Sequence, residues 1–159
     1  MQTALTNAVS GDEIWVMQGT HTPGSARTDT FALKSGVGVY GSFAGTETSL
    51  EQRNWETNVT TLSGEIGDLD DNSDNVYHVV TGSGLDSSAM LDGFTISGGN
   101  ANGASPDDRG GGMYNDQSSL TLTNVSFGHN RAYGNGGAMY NNNNSNPIVK
   151  NAIMWDDTY

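Results

Sequence analysis

The residues best suited to chemistry are the acidic side chains of segment 65–75. This segment reads EIGDLDDNSDN and holds five carboxylates and two amides in eleven residues. Carboxylates this close repel one another unless they are solvated or bridged, and Ca²⁺ is a hard cation that prefers oxygen ligands. The spacing differs from that of an EF-hand loop, so a solvated turn without metal is the simpler alternative. The predicted calcium ligands are Asp68, Asp70, Asp71 and Asp74.

The other ionisable residues do not form a pattern typical of catalysis. A glycosidase needs carboxylates on both sides of the scissile bond, and a lyase needs a base beside a cation that neutralises a uronate. The pairs Asp107-Asp108 and Asp156-Asp157 are adjacent in sequence, and adjacent residues of a strand point to opposite faces. The histidines His21, His78 and His129 occupy unrelated positions. We therefore name no catalytic residue and expect a non-catalytic protein.

Composition and charge exclude several classes of protein. The length of 159 residues suits one domain, and a net charge of −12 repels a phosphate backbone, so nucleic acid is not an expected partner. The chain has no cysteine, which excludes disulfides and thiolate metal sites. No apolar run reaches the ~20 residues that a membrane-spanning helix requires, so no membrane span is expected.

A repeat of about 26 residues organises the second half of the chain. Residues 110–115 (GGGMYN) return as 136–141 (GGAMYN) after 26 residues, and residues 122–130 are answered by 149–157 after 27. Residues 91–100 form an earlier, weaker copy. Each unit holds short alternating apolar runs between Gly and Asn turns, which predicts strands, and residues 76–80 (VYHVV) predict a strand of an earlier coil. A period of this length predicts a β-solenoid in which each repeat is one coil.

Asparagine and glycine recur at matching positions of successive units. Asparagine tolerates the left-handed backbone and bonds the next coil, so stacking aligns it in ladders, and glycine permits sharp corners and close backbone approach. We interpret these residues as structural. They are Asn100, Asn130, Asn115, Asn141, Asn124, Asn151, Gly111, Gly112, Gly136 and Gly137.

The two ends of the predicted stack differ. Residues 1–10 carry apolar side chains on one helical face, which predicts a short helix that caps the first coil. Residues 11–159 are predicted to form about six coils of one domain, within a longer protein or an assembly. No cap is evident at the C-terminal coil, whose outward apolar residues predict self-association. The predicted contact residues are Ile148, Ile153, Trp155 and Tyr159.

Two motifs resemble a known family. Residues 127–130 (FGHN) and 136–139 (GGAM) resemble the FxxN and GGA[ILM] elements of the polymorphic outer-membrane protein repeat. The chain also resembles bacterial secreted proteins of the pectin-lyase-like class, whose coils commonly open with a helix and a Ser-Gly-Asp-x-Ile turn, as residues 10–14 do here. This resemblance implies an all-β, right-handed parallel β-helix in an extracellular or cell-surface setting. It does not imply one activity, since the fold carries lyases, hydrolases, adhesins and stalks.

These observations predict an extracellular structural or adhesive module of a bacterial surface protein or fibre. We expect it to associate with itself, or with the rest of a longer chain, through the C-terminal coil. Two alternatives remain open, a fragment of a polysaccharide lyase or glycoside hydrolase and a carbohydrate-binding module. In the second case a neutral glycan would stack on aromatic residues such as Trp15, Trp55, Tyr40 or Tyr114.

Overall fold

The computed structural model describes residues 1–69 and 71–159. These residues are 40% strand and 8% helix, and every strand pairing described is parallel. Helix α1 spans Gln2–Asn7, and short 3-10 helices span Leu50–Gln52 and Asn72–Asp74. The strands are β1 Glu13–Met17, β2 Gly19–His21, β3 Phe31–Ala32, β4 Gly38–Phe43, β5 Thr60–Ser63, β6 Val80–Ser83, β7 Met90–Ser97, β8 Asn100–Ala101, β9 Met113–Asp116, β10 Thr121–Gly128, β11 Arg131–Ala132, β12 Met139–Asn142 and β13 Ile148–Trp155.

The largest sheet is a stack of rows. We call a row the strand, or the two consecutive strands, that one passage of the chain adds to the sheet. Its order is β1, β4, β7, β10, β13. Strand β2 continues the row of β1, and β5 continues the row of β4, because β4 pairs with the first half of β7 and β5 with its second half. The described residues therefore form five rows in this sheet.

Successive sequence repeats form successive rows of the structure. Strands β10 and β13 pair residue by residue through Leu122↔Val149 and Phe127↔Met154, at the 27-residue spacing of the repeat. Strands β9 and β12 pair through Met113↔Met139, at the 26-residue spacing. Each repeat thus stacks on the repeat before it.

A second sheet runs in the order β12, β9, β6, β3, and β8 pairs with β11 in a third, two-stranded sheet. The apolar core is one continuous cluster to which successive rows contribute side chains, among them Phe31, Leu91, Met113, Leu122 and Phe127, all fully buried. Since alternate residues of a strand face one side, the alternating pattern of each repeat places one apolar side chain after another in this core.

Helix α1 covers the N-terminal end of the core. Leu5 is 3% exposed and belongs to the core cluster with Val16 and Leu33. The Lys34 ammonium donates to the carbonyls of Thr6 at 2.7 Å and Ala8 at 3.0 Å, and so holds the end of the helix. In the described residues no helix is long and apolar enough to cross a bilayer.

Two sequence-based expectations about the strands were wrong. About six coils were predicted, whereas the main sheet has five rows, because the chain leaves the second row at Phe43 and returns to it at Thr60. A strand was also predicted over residues 76–80, but β6 begins only at Val80. Val76 and Val79 are buried without belonging to a strand, and their N–H groups donate to the carbonyls of Gly64 and Gly111.

Candidate functional site

The last row of the main sheet is the most distinctive surface of the molecule. Strand β13 pairs with β10 along one edge, and no strand lies against its other edge among the described residues. All of its residues except Ala152 are exposed, whereas most residues of β10 are buried. Because β13 is the outermost row, it leaves backbone N–H and C=O groups without strand partners.

The core-facing side chains of β13 are apolar, yet they face solvent. Val149 and Met154 are 38% and 49% exposed, while their partners in the row below, Leu122 and Phe127, are fully buried. A depression of about 320 Å³ lies at this end, lined in part by Met139, Met154 and Trp155. Sequence analysis missed these residues because their alternation predicted burial. The core is therefore open at its C-terminal end.

The predicted self-association residues are brought together in part. Ile148, Ile153 and Trp155 lie on β13, and Ile153 and Trp155 are 64% and 47% exposed. The Trp155 indole N–H donates to the Ser126 hydroxyl at 3.3 Å. The Trp155 and His129 rings also pack edge-on, with 4.4 Å between their centroids. Tyr159 lies beyond β13, after the bridge between Thr158 and Arg131, so the structure does not place it on the same strand.

One asparagine ladder crosses the outer face of the main sheet. The Asn151 side-chain amide donates to the Asn124 side-chain oxygen at 2.5 Å, and the Asn124 side-chain amide donates to the Asp92 carboxylate at 2.8 Å. Both asparagines have left-handed backbone, with φ of 49° and 51°, which asparagine tolerates better than most residues. These hydrogen bonds link three successive rows of the main sheet.

A second pair of asparagines stacks on the neighbouring sheet. The Asn115 side chain is fully buried and donates its amide to the Asn141 side-chain oxygen at 2.9 Å. Because β9 and β12 align Asn115 with Asn141, this hydrogen bond follows from the register of the rows.

The third ladder differs from the prediction. Asn130 accepts from the Gly99 N–H at 3.1 Å, donates to the Ile96 carbonyl at 3.0 Å and donates to the Asp157 carboxylate at 2.8 Å. The strand register pairs Asn100 with Arg131, so its predicted match with Asn130 was wrong by one residue. Asn100 instead donates its side-chain amide to the Asn72 carbonyl.

The repeat glycines lie where successive turns of chain meet. A Cβ on Gly111 would overlap the Arg131 carbonyl oxygen, and one on Gly137 would overlap that of Thr158. A Cβ on Gly112 would lie 2.5 Å from the Ala138 carbonyl oxygen, and Gly136 has a φ of 68°. Close backbone approach and positive φ therefore explain these four glycines.

The described carboxylates of the acidic segment serve its own backbone. Asp71 caps the second 3-10 helix by accepting from the Ser73 N–H, and Asp74 accepts from the Asp68 N–H at 2.7 Å. The Ser73 hydroxyl and then its N–H, both donating to Asp71, lower the pKa of that carboxyl. Asp70 lies outside the described residues, and within residues 1–69 and 71–159 no three His, Asp or Glu side chains form a metal-binding group. The calcium prediction thus gains no support from the described ligands.

The adjacent aspartate pairs are engaged separately. Asp107 lies 3.4 Å from His78 and Asp108 lies 3.5 Å from Arg109. Asp156 lies 3.0 Å from His129, whereas its neighbour Asp157 accepts from Asn130. Each carboxylate therefore has a different local partner, and the pairs do not converge on one cleft.

Sequence analysis missed a buried ion pair on the outer face of the main sheet. The Arg53 guanidinium, 6% exposed, bonds the Asp92 carboxylate at 3.0 Å and lies over the rings of Tyr40 and Trp55. Burial, and then the nearby carboxylate of Glu13, raise the pKa of Tyr40. The only sequence signal was an arginine close to aromatic residues, which gives no indication of a partner so far along the chain.

A groove of about 220 Å³ lies beside this ion pair. Trp55 forms part of one wall, and Thr95, Asn124, Ser126 and Asn151 contribute polar groups. An aromatic ring next to amides and hydroxyls can bind a neutral sugar by stacking and hydrogen bonding.

Comparison with known proteins adds no relative. The chain matches no protein-family model, no curated protein and no solved structure. The resemblance to pectin-lyase-like and polymorphic outer-membrane protein repeats stays a prediction. The geometry of β13 and of the Trp55 groove is thus the basis for assigning a function.

Proposed function

We propose that this chain is a right-handed parallel β-helix that serves as an extracellular structural or adhesive module of a bacterial surface protein or fibre. In this proposal β13 is the surface through which the module associates. The observation that carries the proposal is the exposure of Val149 and Met154, which continue the core pattern of Leu122 and Phe127 without being covered.

The β-helical part of the proposal is supported by the parallel rows and their sequence spacing. Successive rows are 26 to 27 residues apart in the later repeats and pair in register. Crossovers between parallel strands of one sheet are right-handed in about 98% of cases. The extracellular setting is supported by the resemblance of residues 127–130 and 136–139 to surface-protein repeats.

The structural role is supported by what the polar repeat residues do. The side chains of Asn124, Asn130 and Asn151 hydrogen-bond within or between rows, and those of Asp92 and Asp157 accept from them. Side chains used in this way stabilise the stack and are not available as a catalytic set.

Sedimentation analysis of two tryptophan variants tests the proposed surface. Trp155→Asp places a charge on β13, and we expect it to weaken self-association, because the new carboxylate must lose water in the contact. Trp15→Asp is the matched control, since Trp15 is also partly exposed, at 37%, but lies on β1, at the opposite end of the main sheet from β13. Association that is absent in the wild type, or equally weakened by both variants, would contradict the proposal.

The Trp55 groove favours a second candidate function, the binding of a neutral polysaccharide. Microarray or calorimetric binding with neutral oligosaccharides tests it. Trp55→Ala should abolish binding because the stacking ring is lost, and Trp155→Ala should leave it unchanged. Binding that survives Trp55→Ala would remove this candidate.

A further inference from the structure

We propose that two copies of this chain join tail to tail about a two-fold axis, with β13 of one copy pairing antiparallel to β13 of the other. The proposal rests on the proposed function, since it requires β13 to be an interface. It adds the identity of the partner, the direction of pairing and the register.

The N-terminal end cannot accept β13 as it stands. Leu5 and Ala8 of the capping segment are buried in the core cluster, and Lys34 and the Gln2 side chain fix this segment to its surroundings. The open C-terminal end of a second copy could pack against the core at this end only by displacing α1. Among the described residues, the core is covered at the N-terminal end and open at β13, so a closed two-fold pair is the symmetric arrangement that covers both open core ends.

The sequence of β13 is self-complementary in one antiparallel register. Asn151 has left-handed backbone, so the core-facing residues are Val149 before it and Ala152 and Met154 after it, as their β10 partners show. An axis between Asn151 and Ala152 sets Val149 opposite Met154 of the second copy, core side against core side. The same register sets Ile148 opposite Trp155 on the outer side. In a strand without the Asn151 irregularity, this register would set core-facing residues opposite outward ones.

The backbone of β13 offers the hydrogen bonds for this pairing. The Ile148 N–H donates to the Leu120 carbonyl at 2.9 Å, toward the β10 side. Because N–H directions alternate along a strand, the Val149 N–H points away from β10, toward the second copy. The backbone hydrogen bonds and the apolar contacts between the two copies therefore form along the same edge of β13.

The size and charge of the end surface define the strength of the dimer. The eight residues of β13 rise ~3.3 Å each, which gives the length of the end face, and two packed sheets lie ~10 Å apart, which gives its width. With the outward side chains added, the end face measures ~500 Å² per copy. The total of ~1,000 Å² is at the lower limit for a specific interface, so the dimer is weak. Since each copy carries a net charge of −12, salt that screens repulsion should tighten the dimer.

Single-cysteine cross-linking tests the geometry, because the chain has no cysteine of its own. Ala152→Cys places thiols beside the proposed axis, and Ala4→Cys is the matched control on the exposed side of α1. Under mild air oxidation, we expect Ala152→Cys alone to form a covalent dimer. We expect Ala4→Cys alone to stay monomeric, and a mixture to give no disulfide between the two variants. A disulfide that joins one variant to the other in the mixture would overturn the two-fold arrangement.

Sedimentation equilibrium of the wild type decides the question even if a cysteine variant fails to fold. We expect a monomer–dimer equilibrium that does not proceed to larger species and that tightens several-fold as salt is raised. Open-ended filaments would overturn the two-fold dimer while preserving β13 as an interface. A strict monomer at high concentration would overturn both this proposal and the proposed function.

Discussion

At the scale of single residues, stability comes from polar side chains that join one row to the next. Asn130 is 1% exposed and links the backbone of the preceding row to Asp157 of the next. Removing one partner of a buried hydrogen bond leaves the other unpaired, which costs more than the bond contributes on average.

Asn130→Ala should therefore lower the free energy of unfolding by about 2–3 kcal/mol, because the Gly99 N–H and the Ile96 carbonyl lose a buried partner. Asn146→Ala, at an exposed position, is the control and should change it by less than about 0.5 kcal/mol. Chemical denaturation measures both. Equal effects would show that the ladder does not stabilise the stack.

The acidic segment should respond to pH through Asp71. Its pKa is lowered in the folded protein, first by the Ser73 hydroxyl and then by the Ser73 N–H, so the ionised carboxylate stabilises the fold. That contribution is present above the ordinary value of 3.8 and is lost as pH falls through the lowered pKa. Thermal melts of the wild type and Asp71→Ala should differ near neutral pH and converge in strong acid. A constant difference at every pH would contradict this cause.

At the scale of elements, the insertion 44–59 shows what fixes a loop to the stack. Arg53 ties it to β7 through Asp92, which is buried on the main sheet, and lies over three aromatic rings. A buried charge left without its partner is strongly destabilising.

Arg53→Ala should lower stability by about 3 kcal/mol, because Asp92 would stay buried without its cation. Loosening of the insertion should also speed chymotrypsin cleavage at Trp55. Arg131→Ala is the matched control, since Arg131 is exposed. Unchanged cleavage at Trp55 in the Arg53 variant would show that other contacts hold the insertion.

The sequence predicted the elements well where the repeat is regular and poorly where it is interrupted. Strands β9, β10, β12 and β13 follow from near-identical units, so their register could be predicted from spacing alone. Because the insertion 44–59 breaks the period, the sequence did not indicate that β4 and β5 belong to the same row. The Asn100 prediction was wrong because Gly98 and His129 occupy the same left-handed corner, so the register sets Gly99, and not Asn100, opposite Asn130.

The candidate site was predictable only in part. Outward alternation identified Ile148, Ile153 and Trp155, but alternation cannot tell a covered row from an uncovered one. The exposure of Val149 and Met154 depends on what stacks beyond them, which is a property of the assembled rows. The Arg53–Asp92 pair depends on long-range packing and leaves no local pattern.

At the scale of the whole molecule, the two ends of the stack are unequal. Helix α1 covers the core at one end, whereas β13 leaves it open at the other. An exposed strand edge beside apolar side chains favours association. The central claim is that β13 is the edge through which this protein assembles.

Hydrogen–deuterium exchange at low and high protein concentration tests this claim most directly. Strands β7 and β10 are interior rows, so their amides should exchange slowly at both concentrations. We predict that the β13 amides that point away from β10, such as that of Val149, exchange rapidly in dilute protein and become protected in concentrated protein, while those of α1 do not change. Exchange in β13 that is the same at both concentrations would contradict the claim.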